Sequence, residues 1–338
     1  MRQTGRLLGV LCLLPALLLP SAHAADGEQA SASSSLMAQL QKMQSSAQHL
    51  NYSGSFVYQQ AALIRSSRVT HVVVGKNELE KLELLDGKPA EFIRSNDEVA
   101  SYLPQSRTIR MEKRVTRDVF PAIVDVRPQE LGAQYRLRAG SDERVAGRDC
   151  QVVVMEPRDK LRYGYRFWTD KATGLLLRAQ TLDGQGEVIE QIAFTQIEIG
   201  GIDRARVSPS YKDTHGWHIE KAVMTPIELP QWQVTPPPGF RKIQQVRRLM
   251  AGSAAEGAAP AQNRAAEREV SQIVFSDGLA AISVFIEPGS PGREEGSAQQ
   301  GAMHILGRPQ GDYWLTVVGE VPAAAIRQVA DSIELKSK

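Results

Sequence analysis

Cysteine is nearly absent: the chain of 338 residues holds two. Cys12 lies within an N-terminal apolar run and only Cys150 lies beyond it, so no disulfide can close downstream of that run. The valines at 152, 153 and 154 make Cys150 a half-buried strand thiol rather than a redox centre. No sign of charge prevails either. The formal net charge is +2, and removing residues 1–24 takes away Arg2 and Arg6 and no acid, which equalises Lys+Arg with the 38 Asp+Glu. A global electrostatic footprint for nucleic acid is thereby excluded. Beyond the first residues no apolar run approaches the ~20 residues of a membrane span. There is no Gly-x-Ser-x-Gly elbow and no phosphate-cradling glycine loop ahead of a helix, and the carboxylates are dispersed. His215-x-x-His218, with Asp213 upstream, is the one pair with metal-ligand spacing, but it sits in a polar loop and reads as solvated histidines. No catalytic residue, metal site or cofactor is expected.

What is present begins with an address. Arg2 and Arg6 precede the apolar run Leu7 to Leu19, and Ala22-His23-Ala24 places small residues where a signal peptidase reads. Residues 1–24 are therefore expected to be a cleaved export signal, with Ala25 as the new N-terminus and a small, polar, disordered stretch over 25–33.

Leu36, Leu40, Met43, Ala47 and Leu50 then mark one face of an amphipathic helix. After it the period changes to two. Segments 52–60, 68–74, 79–87, 98–104, 106–115, 149–157, 161–168, 175–182 and 187–199 read as strands, with hairpin turns at Asp86-Gly87, Asp170 to Gly174 and Asp183-Gly184. In the hairpin RFWTDKATGLLLRAQ, Phe167, Leu175, Leu177 and Ala179 are expected on one face and Trp168 and Leu176 on the other. A sheet with one apolar and one wet face, and a single helix to cover it, predicts a curved, partly open barrel over 34–205. Residues 206–239, rich in proline and ending in Pro236-Pro237-Pro238, read as a linker. Residues 240–338 read as a smaller sheet with a closing helix on which Ala325, Ile326, Val329 and Ile333 share a face. The inserts 251–266 and 288–301 read as mobile low-complexity loops. The fold class is α+β, mainly antiparallel β.

Two groups of residues stand out as binding candidates. Arg107, Arg110, Lys113, Arg114 and Arg117 cluster against Glu112 alone, which suits either a solvated strand face or an anion-docking site. Arg107, Arg110 and Arg114, with Met111 among them and Tyr163, Tyr165 and Phe167 on an apolar strand face, form the candidate ligand set. Trp232, Phe240, Tyr313 and Trp314 border the linker and the second unit, as core residues or as anchors for a partner.

Several strings resemble a known family in order and spacing: Trp232-x-Val234-x-x-Pro237-Pro238-Gly239-Phe240, then FSDGLAAISVFIEP, then YWLTVVGEVP before the last helix. The chain resembles the RseB/MucB family of periplasmic regulators of the envelope-stress sigma factor over its mature length. Its Trp168-x-Asp170-x-x-Thr173-Gly174-Leu175 hairpin is similar to one in lipoprotein carriers of the LolA/LolB type. The resemblance implies a LolA/LolB-like half-barrel domain and a second domain. It also implies a periplasmic location, and as partner the periplasmic domain of a RseA/MucA-like anti-sigma factor, shielded from regulated proteolysis. An amphiphilic lipid, such as lipopolysaccharide or acylated material, is implied as the releasing ligand; a homo-oligomer is compatible with it. The alternative is a periplasmic carrier of lipids or lipoproteins, which needs the cavity but not residues 240–338.

Overall fold

The computed structural model describes residues 23–113, 128–222, 224–250, 268–289 and 292–336. Most of the export signal, Arg114, Arg117 and the 251–266 insert lie outside them. Helix α1 spans His23–His49. It therefore takes in residues 25–33, which composition marks as unstructured. That stretch holds three alanines, Glu28 and Gln29 beside Asp26, Gly27 and two serines, and no proline, so a helix set by the apolar face downstream meets no obligatory break in it.

The first sheet is assembled from β1 (Tyr52–Gln60), β2 (Leu63–Val74), β3 (Asn77–Leu84), β4 (Glu91–Ser95), β5 (Glu98–Leu103) and β6 (Thr108–Lys113). After the short helix α2 (Pro128–Gln134) come β7 (Tyr135–Ala139), β8 (Glu143–Val145), β9 (Arg148–Pro157), β10 (Gly164–Asp170), β11 (Leu176–Leu182), β12 (Val188–Ile199) and β13 (His218–Lys221). These 13 strands run β13-β6-β5-β4-β3-β2-β1-β12-β11-β10-β9-β7, with β8 also on β9. Every pairing is antiparallel except the parallel one between β13 and β6. Among the described residues β13 and β7 end the sheet and it does not close.

The second unit comprises β14 (Met224–Pro226), β15 (Trp232–Gln233), β16 (Arg241–Met250), β17 (Arg268–Ser276), β18 (Ala281–Pro288), β19 (Gly296–Gln300), β20 (Met303–Gln310), β21 (Tyr313–Gly319), α3 (Ala323–Asp331) and β22 (Glu334–Leu335). Seven of these strands form the order β14-β16-β17-β18-β21-β20-β19, and β15 pairs with β22. The proline-rich stretch at 206–239 contributes three short strands, β13 to the first sheet, β14 to the second and β15 to the pair with β22. Composition also misplaces β19, since Gly-Ser-Ala-Gln-Gln has no apolar alternation, yet all five residues pair with β20.

The β10–β11 hairpin shows how one turn organises the first core. Gly174 takes a φ of +84°, the left-handed value glycine adopts without strain. The Asp170 carboxylate accepts from the Thr173 amide at 2.9 Å and hydroxyl at 2.6 Å, and pairs with Arg148 at 2.9 Å. Helix α1 rests on this turn, the Ser46 hydroxyl donating to the Thr173 carbonyl at 2.6 Å and Gln39 to the Thr169 hydroxyl at 2.8 Å. The register shifts between Trp168 and Thr169. That bulge regroups the hairpin: Leu176 joins Phe167 and Ala179 in one cluster, while Leu175 and Leu177 join Trp168 in another. The expected grouping of Leu175 and Leu177 with Phe167 fails for this reason. Val152, Val153, Val154 and Met155 are all buried, so β9–β11 has two dry faces instead of one. Cys150 on the same strand is fully buried, and burial pushes its thiol up to about 11.

Candidate binding face and domain junction

The other half of the first sheet is built differently. Following the register across strands, Gly54, Val69, Leu82, Phe92, Ser101, Arg110 and Glu220 form one continuous row on a single face. Val69 belongs to the buried core, Leu82 and Phe92 are half-buried, and Arg110 is half-exposed in a 3.0 Å pair with Glu220. The row leaves the core through apolar side chains, passes the buried Ser101 and ends in the Arg110–Glu220 ion pair, so a chain laid along it would meet a guanidinium shared with a carboxylate.

On the same face lies a buried polar cluster. Arg94 bonds Glu80 at 3.0 Å and Glu78 at 3.1 Å. Burial alone would lower the Arg94 guanidinium, and the two glutamates, Glu80 first, more than offset this and raise it. His71 stacks on Tyr52 with centroids 4.9 Å apart, and its Nδ1 lies 2.8 Å from the Leu50 carbonyl oxygen. A carbonyl only accepts, so Nδ1 carries the hydrogen and Nε2, buried and without a hydrogen-bond partner, does not. Burial holds His71 below the usual 6.5.

The two units meet over a second charged centre. Arg162, with a fully buried side chain, bonds Asp277 of the second unit at 2.8 Å, Asp159 at 3.1 Å and the Pro238 carbonyl at 2.6 Å. Its guanidinium carbon also lies 5.7 Å from the Tyr135 ring and 5.4 Å from that of Phe240. Asp277 further accepts from the amides of Leu279 at 3.0 Å and Ala280 at 2.9 Å. Beside this pair the turn between β19 and β20 enters the first unit, placing the fully buried Ala302 in the cluster of Tyr163, Tyr165 and Phe167. Gln60 reaches the Gln300 carbonyl at 3.5 Å.

These positions sort the candidate residues. Arg110 stands on the apolar row, whereas Met111 stands on the opposite face in register with Ala100 and Ile93. Arg107 is exposed at a left-handed turn residue, φ +48°, and its carbonyl accepts from the His218 amide at 2.8 Å. Arg114 lies outside the described residues. Tyr163, Tyr165 and Phe167 are buried beneath α1, α2 and Ala302, and seven strands separate β10 from β6 along the sheet. The structure therefore does not bring the arginines and the aromatics together along one stretch of sheet. Trp232 and Phe240 are buried in the second unit's core, with Tyr313 packed on it, 5.2 Å from Trp232 between ring centroids. Trp314 is buried beneath the Arg293 guanidinium at 5.3 Å. Sequence reading missed Arg162–Asp277 and Arg94–Glu80. The signal for the second was Glu78 and Glu80 alternating with leucines in β3; nothing local marks the first.

Comparison with known proteins covers both units. A family model described as the MucB/RseB N-terminal domain matches residues 35–212, and one described as the MucB/RseB C-terminal domain matches residues 226–334. The Sigma-E factor regulatory protein RseB of Salmonella typhimurium is 27% identical over 329 residues, covering 95% of this chain and 98% of its own. The Sigma factor AlgU regulatory protein MucB of Pseudomonas aeruginosa is 28% identical over 349 residues, 97% of each chain. A crystal structure of MucB in complex with MucA(peri) aligns with a TM-score of 0.66 at 25% identity, over 89% of this chain and 98% of that one. A crystal structure of MucB alone aligns at 0.63 and 24% identity, over 94% and 99%, and bears on the fold.

Proposed function

The chain belongs to the MucB/RseB family, and on that premise we propose that it regulates a sigma-E/AlgU-type factor by holding the periplasmic part of a membrane-anchored anti-sigma factor. It is exported to the periplasm, acts by binding rather than by catalysis, and shields the held segment from regulated proteolysis. A lipidic envelope ligand releases it. The observation that carries this reading is the likeness, across both units, to MucB in complex with MucA(peri). The apolar row from Val69 to Phe92, ending at Arg110, supports the lipid arm, because each buried CH₂ contributes about 0.8 kcal/mol and the guanidinium suits an anionic head. The buried junction at Arg162 supports a two-unit binder over a carrier, which would need only the first sheet.

The test is to titrate the anti-sigma factor's periplasmic segment into residues 25–338 and to follow its cleavage by the site-1 protease. Saturable binding with cleavage slowed in proportion to occupancy is the expected result. A segment cut equally fast when fully bound would leave a binder without the shielding role.

A further inference from the structure

Besides the three-residue β8, which carries Glu143 and Arg144, four strands end the two large sheets, and three of them are blunted. β7 carries Arg136 and Arg138, both paired with Glu156, at 4.0 and 3.1 Å. β13 is His-Ile-Glu-Lys, and β14 is three residues ending in Pro226. Charge, proline and shortness all discourage another chain from pairing. β19 has none of these. It is five residues long, without charge or proline, exposed throughout, and paired on one side by β20.

Beside this edge lies a cavity of about 220 Å³ lined by Ser297, Gln299, His304, Leu306, Ile326 and Arg327, among others. The register explains its position. Ser297 pairs with Leu306 and Gln299 with His304, and Leu306 packs on the cluster that holds α3. Alternate side chains of a strand added to β19 would face the groove between that edge and α3. Arg327 is exposed on α3 at the groove and has no ion pair among the described residues.

We propose that β19 is a docking edge to which an extended segment of the anti-sigma factor adds as an eighth strand, seating an acidic side chain opposite Arg327. A row of unpaired amides and carbonyls is satisfied by an extended main chain and by little else, and the free cation selects an acid. A second copy of the chain would carry acids only outside its own strand, at Glu294 and Glu295 ahead of Gly296, and could not seat one opposite Arg327 from within the added strand. The placement also links the edge to the first unit, because the turn that closes β19 seats Ala302 among Tyr163, Tyr165 and Phe167. The proposal rests on the functional reading above and locates its contact.

The experiment is hydrogen exchange on residues 25–338 with and without the anti-sigma factor's periplasmic segment, with affinities for three variants. Adjacent strand residues direct their amides to opposite sides, so one of Ser297→Pro and Ala298→Pro removes an outward donor while the other breaks the β20 pairing. Arg327→Glu, on an exposed helix face, leaves the fold intact. Slowed exchange at 296–300 on binding is expected, with Arg327→Glu weakening affinity about threefold to tenfold. Binding with unchanged exchange at β19 and full affinity in Arg327→Glu overturns the docking edge and leaves the function standing. Protection that grows with protein concentration alone overturns it in favour of self-pairing. Absence of any binding overturns the functional reading and the edge together.

Discussion

The two halves of the first sheet share one backbone plan and differ in what they bury. From β9 to β11 successive residues are apolar on both faces: Val152 and Trp168 in one cluster, Val153 and Phe167 in the other. From β2 to β6 the buried positions include His71, Glu80 and Arg94 on one face and Lys81 and Glu91 on the other, and Leu82 and Phe92, on the face of Glu80 and Arg94, stay half-open. On the proposed function, the difference separates scaffold from binding face. A doubly dry stretch is stabilised by burial and resists rearrangement. A stretch whose charges satisfy one another beside partly exposed apolar side chains can admit a ligand without exposing a core.

If the comparison holds, Trp168→Ala should be the costliest single change, lowering unfolding free energy by about 3–5 kcal/mol in a denaturant titration. A loss below about 1 kcal/mol would mean that β9–β11 is not the scaffold. Next comes the junction. Arg162→Met strands a buried Asp277 and should cost about 3 kcal/mol, and Arg162→Met with Asp277→Leu should recover most of it. The same single variant should broaden the domain arrangement seen by small-angle scattering. An unchanged scattering profile would remove the pair from the set of contacts that fixes the two units.

Acid should act chiefly on the first unit. Burial holds His71 below its ordinary value, so its contribution is complete above 6.5 and is lost as pH falls through the folded value. Asp170 follows at more acidic pH: burial pushes its carboxyl up, while bonds from Arg148 and Thr173 pull it below the usual range. Stability should be level from 6.5 up to the alkaline range where the unfolded Cys150 thiol ionises, and should fall in two steps beneath 6.5, with the first step missing in His71→Gln. One step only, in the native chain, would contradict the assignment of His71. The smallest effect on stability is expected at Arg110→Glu, under about 1 kcal/mol for a pair this exposed. That variant should nonetheless weaken binding of phosphorylated lipid at low salt and spare neutral detergent; equal loss for both would dismiss the electrostatic arm.

What the sequence made legible follows from the range of each interaction. Gly174 and the strands on either side of it could be read because a left-handed turn and period-two alternation are local properties. The face on which Leu176 falls could not, because one bulge at Trp168 reverses the alternation downstream. Arg110 and Arg107 could be singled out as a local run of cations, and the opposition of Met111 to Arg110 follows from the same alternation, but not that Arg110 would stand in register with Ser101 and Phe92 and meet Glu220 from a segment 110 residues on. Arg162 and Asp277 are 115 residues apart and each looks ordinary in its own strand or turn. Tyr163, Tyr165 and Phe167 looked like an open wall because the turn that covers them arrives from a segment with a loop's composition.

The most direct measurement is the coupling between the two ligands on the full chain. Affinity for the anti-sigma factor's periplasmic segment is measured with and without saturating lipopolysaccharide, and affinity for lipopolysaccharide with and without the segment. The expected result is that each weakens the other by the same factor, as linkage requires of two sites on one switching molecule. Independent binding of the two would contradict the account and leave a chain that grips its partner but senses nothing.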